Sequence, residues 1–297
     1  MSDLINRRKM IRQIAAGSIG LGTFTTLPTI AFAKMSTPNA FKGNINYSVC
    51  RWTYGFLTLD ELCKAVKAVG FSAIDLVGPG DWDTLKEHGV DSSMCNGAEI
   101  SLEQGWCNKE YHQTLIKNYL EHIELTSNAG YENLICFSGN RDGINDEAGL
   151  ENCVEGLKKI MGQAEKSGIM IQMELLNSKI DHVDYMCDNT PWGVELCRRV
   201  DSPNFKLLYD IYHMQISEGD IIRTIRDYHQ YFGHYHTAGV PGRNEIGDSQ
   251  ELQYPAIMKA IHGTGFNGHV AQEFIPTQET SQQNIEALEK AVMLCDI

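Results

Sequence analysis

KAVGFSAIDLV, residues 67–77, sets a pattern that returns three times: SNAGYENLICF at 127–137, EKSGIMIQMEL at 165–175 and HGTGFNGHVAQEF at 262–274. Each copy starts on the last turn of an amphipathic helix, crosses a glycine and enters a short apolar run. A glycine just past a helix end supplies the left-handed residue that stops the helix. The apolar run that follows has the length of a strand buried on both faces. Helix and strand in alternation imply parallel strands joined by crossover helices.

Working outward from these four copies, the chain predicts strands at 45–49, 73–77, 92–96, 133–137, 170–175, 205–209, 232–237 and 270–274. Helices fit 59–69, opened by a capping box of Thr58 and Glu61, then 83–88, 110–129, 146–166, 191–200, 220–228, 254–262 and 281–294. Eight strands and eight helices in about 260 residues match a single-domain (β/α)8 TIM barrel. A doubly wound open sheet is the alternative. Its phosphate-binding GxGxxG loop is missing from the first strand–helix turn, CRWTYGFLT at 50–58.

Residues 1–33 read as an export leader, with 34–297 as the barrel. Arg7-Arg8 stands in a basic start, a mildly apolar run follows from 14 to 27, and Ala31-Phe32-Ala33 forms a small-x-small cleavage pattern. This resembles a twin-arginine leader and implies a periplasmic protein. Gly17, Gly20, Gly22 and Pro28 make the run too weakly apolar to span a membrane, so no span is expected once the leader is removed. Four basic residues against Asp3 give the leader +3, and since the whole chain is at −13 the remainder stands at −16. That charge disfavours nucleic acid and anionic membranes as partners and leaves a small molecule. Assembly as a homo-oligomer is open at this stage. Nine cysteines at irregular spacing, without CxxC, argue against a disulfide framework or structural zinc site; most read as small buried hydrophobes, and one disulfide after export is left open.

In such a barrel the chemistry sits at the C-terminal ends of the strands. There the fifth strand offers Glu174, the sixth Asp210, the seventh His236 and the eighth Glu273. One carboxylate at a strand end often only caps the next helix. Four such groups meeting at one mouth repel and desolvate one another unless a cation joins them. Three carboxylates and an imidazole, without thiolate, suit octahedral Mg²⁺, Mn²⁺ or Co²⁺ better than a closed zinc site, with two positions left for substrate oxygens.

Within LLYDIYHMQ, residues 207–215, Asp210 and His213 leave the strand together, as a helix N-cap with a packed histidine or as a chemical pair. Arg243 follows Gly239, Pro241 and Gly242 in a loop shaped to approach the mouth, where it meets substrate or else pairs with Glu245 or Asp248. His234 shares a strand face with His236. Trp52, Trp106 and Phe137 are either a wall for a sugar's carbon face or packing.

YDIYHMQISEGD at 209–220, GHYHTAGVPGRNE at 233–245, NGHVAQEFIPT at 267–277 and MELLN at 173–177 resemble the hydroxypyruvate isomerase branch of the xylose-isomerase-like barrels, whose relatives include ketose 3-epimerases. The resemblance covers essentially everything after the leader. It implies metal ligands at Glu174, Asp210, His236 and Glu273, an acid/base pair in Glu174 and Glu273, and substrate contacts at His213, Arg243 and Asn177. The hydroxypyruvate isomerases carry Gln where this chain has His236, whereas the epimerases carry His. The epimerases also place an acid six residues after the fifth-strand Glu, where this chain has Ile180, with Asp181 one position later.

The expected chemistry is removal of a proton beside a carbonyl of a sugar or hydroxy-keto acid, through an enediolate. One glutamate takes the proton and the other returns it, while a divalent metal acts as Lewis acid. Rivals are a sugar dehydratase or lyase on the same barrel, an endonuclease-like phosphodiesterase, which needs more His and acid ligands and a basic groove, and a non-catalytic exported carbohydrate-binding protein.

Overall fold

The structure, a computed structural model, describes residues 41–297; the leader expected at 1–33 lies outside the described residues. Strands β1 (Asn46–Cys50), β2 (Ala73–Val77), β3 (Asp91–Cys95), β4 (Asn133–Cys136), β5 (Met170–Glu174), β6 (Phe205–Asp210), β7 (Phe232–Thr237) and β8 (His269–Gln272) pair in chain order, all parallel, and β8 closes onto β1. Around them lie α1 (Leu59–Val69), α2 (Trp82–His88), α3 (His112–Ala129), α4 (Asp146–Ser167), α5 (Thr190–Val200), α6 (Ile211–Ser217), α7 (Ile221–Tyr228), α8 (Tyr254–Gly263) and α9 (Ser281–Cys295). This is the (β/α)8 TIM barrel.

The repeated glycines act as the sequence predicts. Gly70, Gly130 and Gly168 take left-handed backbone after α1, α3 and α4, and each donates its N–H back to the helix it ends. The Thr58–Glu61 capping box opens α1. Two boundaries differ from expectation where they matter. Helix α6 follows β6 without a loop because the Asp210 side chain accepts the His213 N–H at 3.1 Å and starts the helix at once. Strand β8 ends at Gln272, so Glu273 stands one residue past it, still tied to β7 by its N–H on the Thr237 carbonyl at 2.8 Å.

Strand parity divides the residues of β7. Tyr235 faces outward, its ring 4.8 Å from Phe266 and 5.9 Å from Phe232, in the layer between sheet and helices. Its neighbours His234 and His236 face the barrel interior, where both reach Asp75 of β2. The pairing register sets Asp210 beside His236 and Leu208 beside His234. All nine cysteines are buried free thiols, as their spacing implied. Trp106 is fully buried against Tyr119 and His112, and Phe137 is buried as well.

The loop after β3 is held to β4 by backbone contact. Trp106 and Cys107 donate their N–H groups to the Phe137 and Ser138 carbonyls, and Gly105 lies against Gly139 so closely that a Cβ on Gly105 would stand 2.3 Å from the Gly139 nitrogen. Backbone cannot retreat as a side-chain tip can. Gly105→Ala is therefore expected to destabilise the barrel by about 1–3 kcal/mol, read as a lowered midpoint in thermal unfolding. An unchanged midpoint would show that the two loops separate freely.

Candidate metal centre at the barrel mouth

Glu174, Asp210, His236 and Glu273, fully buried at the ends of β5 to β8, each bring a ligand atom within 4.8 Å of the others. His236 Nδ1 lies 3.0 Å from Glu273 Oε2 and 3.3 Å from Glu174 Oε1. Asp210 serves two ends: one oxygen caps α6, and Oδ2 faces Arg243 at 3.5 Å and His213 Nε2 at 3.6 Å. The N-cap reading of this aspartate holds, and its other oxygen turns toward the cluster. Burial, then the neighbouring Glu273, push its carboxyl well above the ordinary carboxylate range.

Arg243 is not on the surface with Glu245 or Asp248. Its guanidinium is buried, 2.5 Å from Glu273 Oε2, and lies between the Trp52 and Tyr212 rings at 5.2 and 5.3 Å. Burial opposes that charge, but Glu273, Asp210 and Glu174 hold it above its ordinary value. The residue takes left-handed backbone, φ 59°, a conformation a non-glycine side chain adopts at a cost, which marks the loop as tightly determined. Trp52 donates its indole N–H to Glu273 Oε1 at 2.7 Å, so the first strand–helix turn joins the site directly.

These groups fit a divalent cation. With all three carboxylates ionised the cluster would carry three negative charges and Arg243 would return one, leaving two. Glu174 Oε1 is buried and has no hydrogen bond among the described residues. The four groups themselves offer only oxygen and imidazole nitrogen, with the Cys50 thiol 3.9 Å from the other ring nitrogen, His236 Nε2.

The expected substrate residues His213 and Asn177 adjoin this cluster. The Asn177 amide lies 2.6 Å from His213 Nδ1 and donates to Asp181 Oδ2 at 2.7 Å, and the Tyr212 hydroxyl donates to the same oxygen at 2.9 Å. Asp181, one position from where the epimerases carry their acid, therefore reaches the mouth, while Ile180 is 69% exposed. Asp75 went unremarked in the sequence although a visible signal marked it: a carboxylate inside the apolar run AIDLV. Its carboxylate oxygens lie 2.8 Å from His234 Nε2 and 3.0 Å from His236 Nε2.

Residues 63–291 match the xylose isomerase-like TIM barrel family, and the chain belongs to it. Among individual relatives it is 27% identical to the hydroxypyruvate isomerase of Escherichia coli, over 79% of this chain and 93% of that one. It is 31% identical to the D-psicose 3-epimerase of Ruminiclostridium cellulolyticum over 148 residues, 48% of this chain and 47% of that one. The chain spans about half the length of the vertebrate relatives it matches. The crystal structure of an AP endonuclease, family 2, from Brucella melitensis shares the fold, with a TM-score of 0.71 and 22% identity over 81% of this chain and 96% of that one.

Proposed function

We propose that this protein is a divalent-metal-dependent isomerase or epimerase acting on a small sugar or hydroxy-keto acid. The observation that carries the proposal is the convergence of two glutamates, Glu174 and Glu273, on His236 Nδ1 at 3.3 and 3.0 Å, with Asp210 completing the cluster. The bound ion would be held by Glu174, Asp210, His236 and Glu273, and it supplies Lewis-acid polarisation of the substrate carbonyl.

The chain's own residues supply the rest. Glu273 is held by the Trp52 indole and Arg243, whereas Glu174 Oε1 has no such hydrogen bond and is placed to take a proton from the carbon beside the carbonyl. Glu273, entering the cycle with a proton drawn from solvent, returns it to the resulting enediolate, and the proton on Glu174 passes to solvent to reset the pair. Return to the same carbon from the opposite side epimerises, and return to the neighbouring carbon isomerises. Arg243 Nε is buried without a hydrogen-bond partner among the described residues and is a donor for a substrate oxygen. His213 and Asn177 line the same mouth for substrate hydroxyls. His236, the residue of the ketose epimerases at this position, favours epimerisation within the pair. The Arg7-Arg8 leader makes the periplasm the site of action in this proposal.

Incubation with Mg²⁺ in D₂O, with a panel of ketoses and hydroxypyruvate followed by NMR, tests the proposal. The expected result is deuterium at carbon adjacent to the carbonyl, lost on chelation. A protein that holds one divalent ion per chain and exchanges no such proton would instead be an elimination enzyme or a binding protein.

A further inference from the structure

The carboxylate of Asp75 is saturated with partners deep in the barrel. Ser93 donates its hydroxyl to Oδ2 at 2.6 Å, His234 Nε2 lies 2.8 Å from the same oxygen, His236 Nε2 lies 3.0 Å from Oδ1, and the Cys50 thiol is 3.6 Å from Oδ1. The strand bends to put it there. Pairing of β2 with β3 slips on both sides of Asp75, and Leu76 just after it takes left-handed backbone, φ 57°, which a leucine rarely adopts. A bulge of this kind re-aims one side chain.

A neutral imidazole carries one proton on one of its two nitrogens. On His236, Nε2 faces a carboxylate that can only accept, while Nδ1 faces Glu174 and Glu273. We infer that Asp75 is a positioning residue: by holding the proton on His236 Nε2 it fixes the ring and turns the Nδ1 lone pair toward the carboxylate cluster, making Nδ1 the ligating atom. This rests on the metal reading of the site above. His234 and Ser93 keep Asp75 in place from the other oxygen. A partner carboxylate that orients a ligating histidine typically governs metal affinity by about 10- to 100-fold.

The test uses the full-length protein with histidine nitrogens labelled with ¹⁵N and with Zn²⁺ as a diamagnetic probe. Long-range ¹H–¹⁵N spectra of the zinc-loaded wild type are expected to show His236 protonated at Nε2 and bound through Nδ1. Titration of Asp75→Asn with Zn²⁺ is expected to show about 10- to 100-fold weaker binding, because the amide offers N–H to Nε2 and favours the proton on Nδ1. His234→Gln, whose side-chain amide can still donate to Asp75 beside the Ser93 hydroxyl, should keep affinity within a few-fold. Zinc-loaded wild type with His236 bound through Nε2, or Asp75→Asn binding as tightly as wild type, overturns the inference while the metal site stands. A wild type that binds no divalent ion overturns the metal reading and this inference with it. The wild-type spectrum decides even if Asp75→Asn does not fold.

Discussion

Replacing Glu273 by Gln is expected to lower kcat by about a thousandfold, within the range that a positioned acid or base contributes. The substitution keeps the shape and removes the charge. Glu273 accepts from Trp52 Nε1 at 2.7 Å, lies 3.0 Å from His236 Nδ1 and meets Arg243, and a glutamine has one oxygen to serve those three groups. One of them is left without its partner, a cost of about 1–3 kcal/mol. Relief of the repulsion that raises the Asp210 carboxyl offsets part of that cost, so unfolding temperature should fall by no more than a few degrees. Solvent-deuterium exchange into substrate, measured beside a thermal melt, separates the two effects. A variant that keeps a tenth of wild-type exchange would remove Glu273 from the proton transfer.

The second large effect is expected on stripping divalent ions with a chelator: turnover is lost and the barrel melts at lower temperature. The sign follows from binding to the folded state alone, since the four groups come from separate strands and converge only in the closed barrel. At a hundredfold excess over Kd, an ion stabilises by about 2.7 kcal/mol, which for a domain of this size is roughly 5–10 °C in Tm. Re-addition of Mg²⁺, Mn²⁺ or Co²⁺ in turn should restore both and rank the three. Activity and Tm that ignore chelation, in protein shown by elemental analysis to be free of metal, would leave the cluster's charge to Arg243 and His236 and end the metal reading.

How far the site was legible depends on which physical signal each residue leaves in the chain. Glu174, Asp210, His236 and Glu273 stand out because a charged or imidazole group ends an apolar strand, and the fold brings successive strand ends to one mouth. Arg243 is visible as a loop residue shaped by Gly239, Pro241 and Gly242, but its choice of Glu273 over the nearby Glu245 or Asp248 is a matter of how the loop turns. Asp181 looks misplaced by one residue in a linear count. The turn after β5 carries Ile180 outward and brings the Asp181 carboxylate onto Asn177 and Tyr212.

The chain by itself determines the alternation of helix and strand, the parallel barrel and the set of acids and imidazole at the strand ends, because helix-ending glycines, apolar runs and caps act over a few residues and need no distant partner. Only the tertiary structure decides that Asp210 both caps α6 and faces the cluster, that Trp52 and Arg243 close on Glu273, and that Asp75 crosses the interior to His234 and His236. Asp75 and His236 are 161 positions apart, and their contact depends on barrel closure and on a bulge in β2. A pairing of buried polar groups across the barrel is set by the low-dielectric interior, where each group must find protein partners in place of water, and no local pattern in the chain records it.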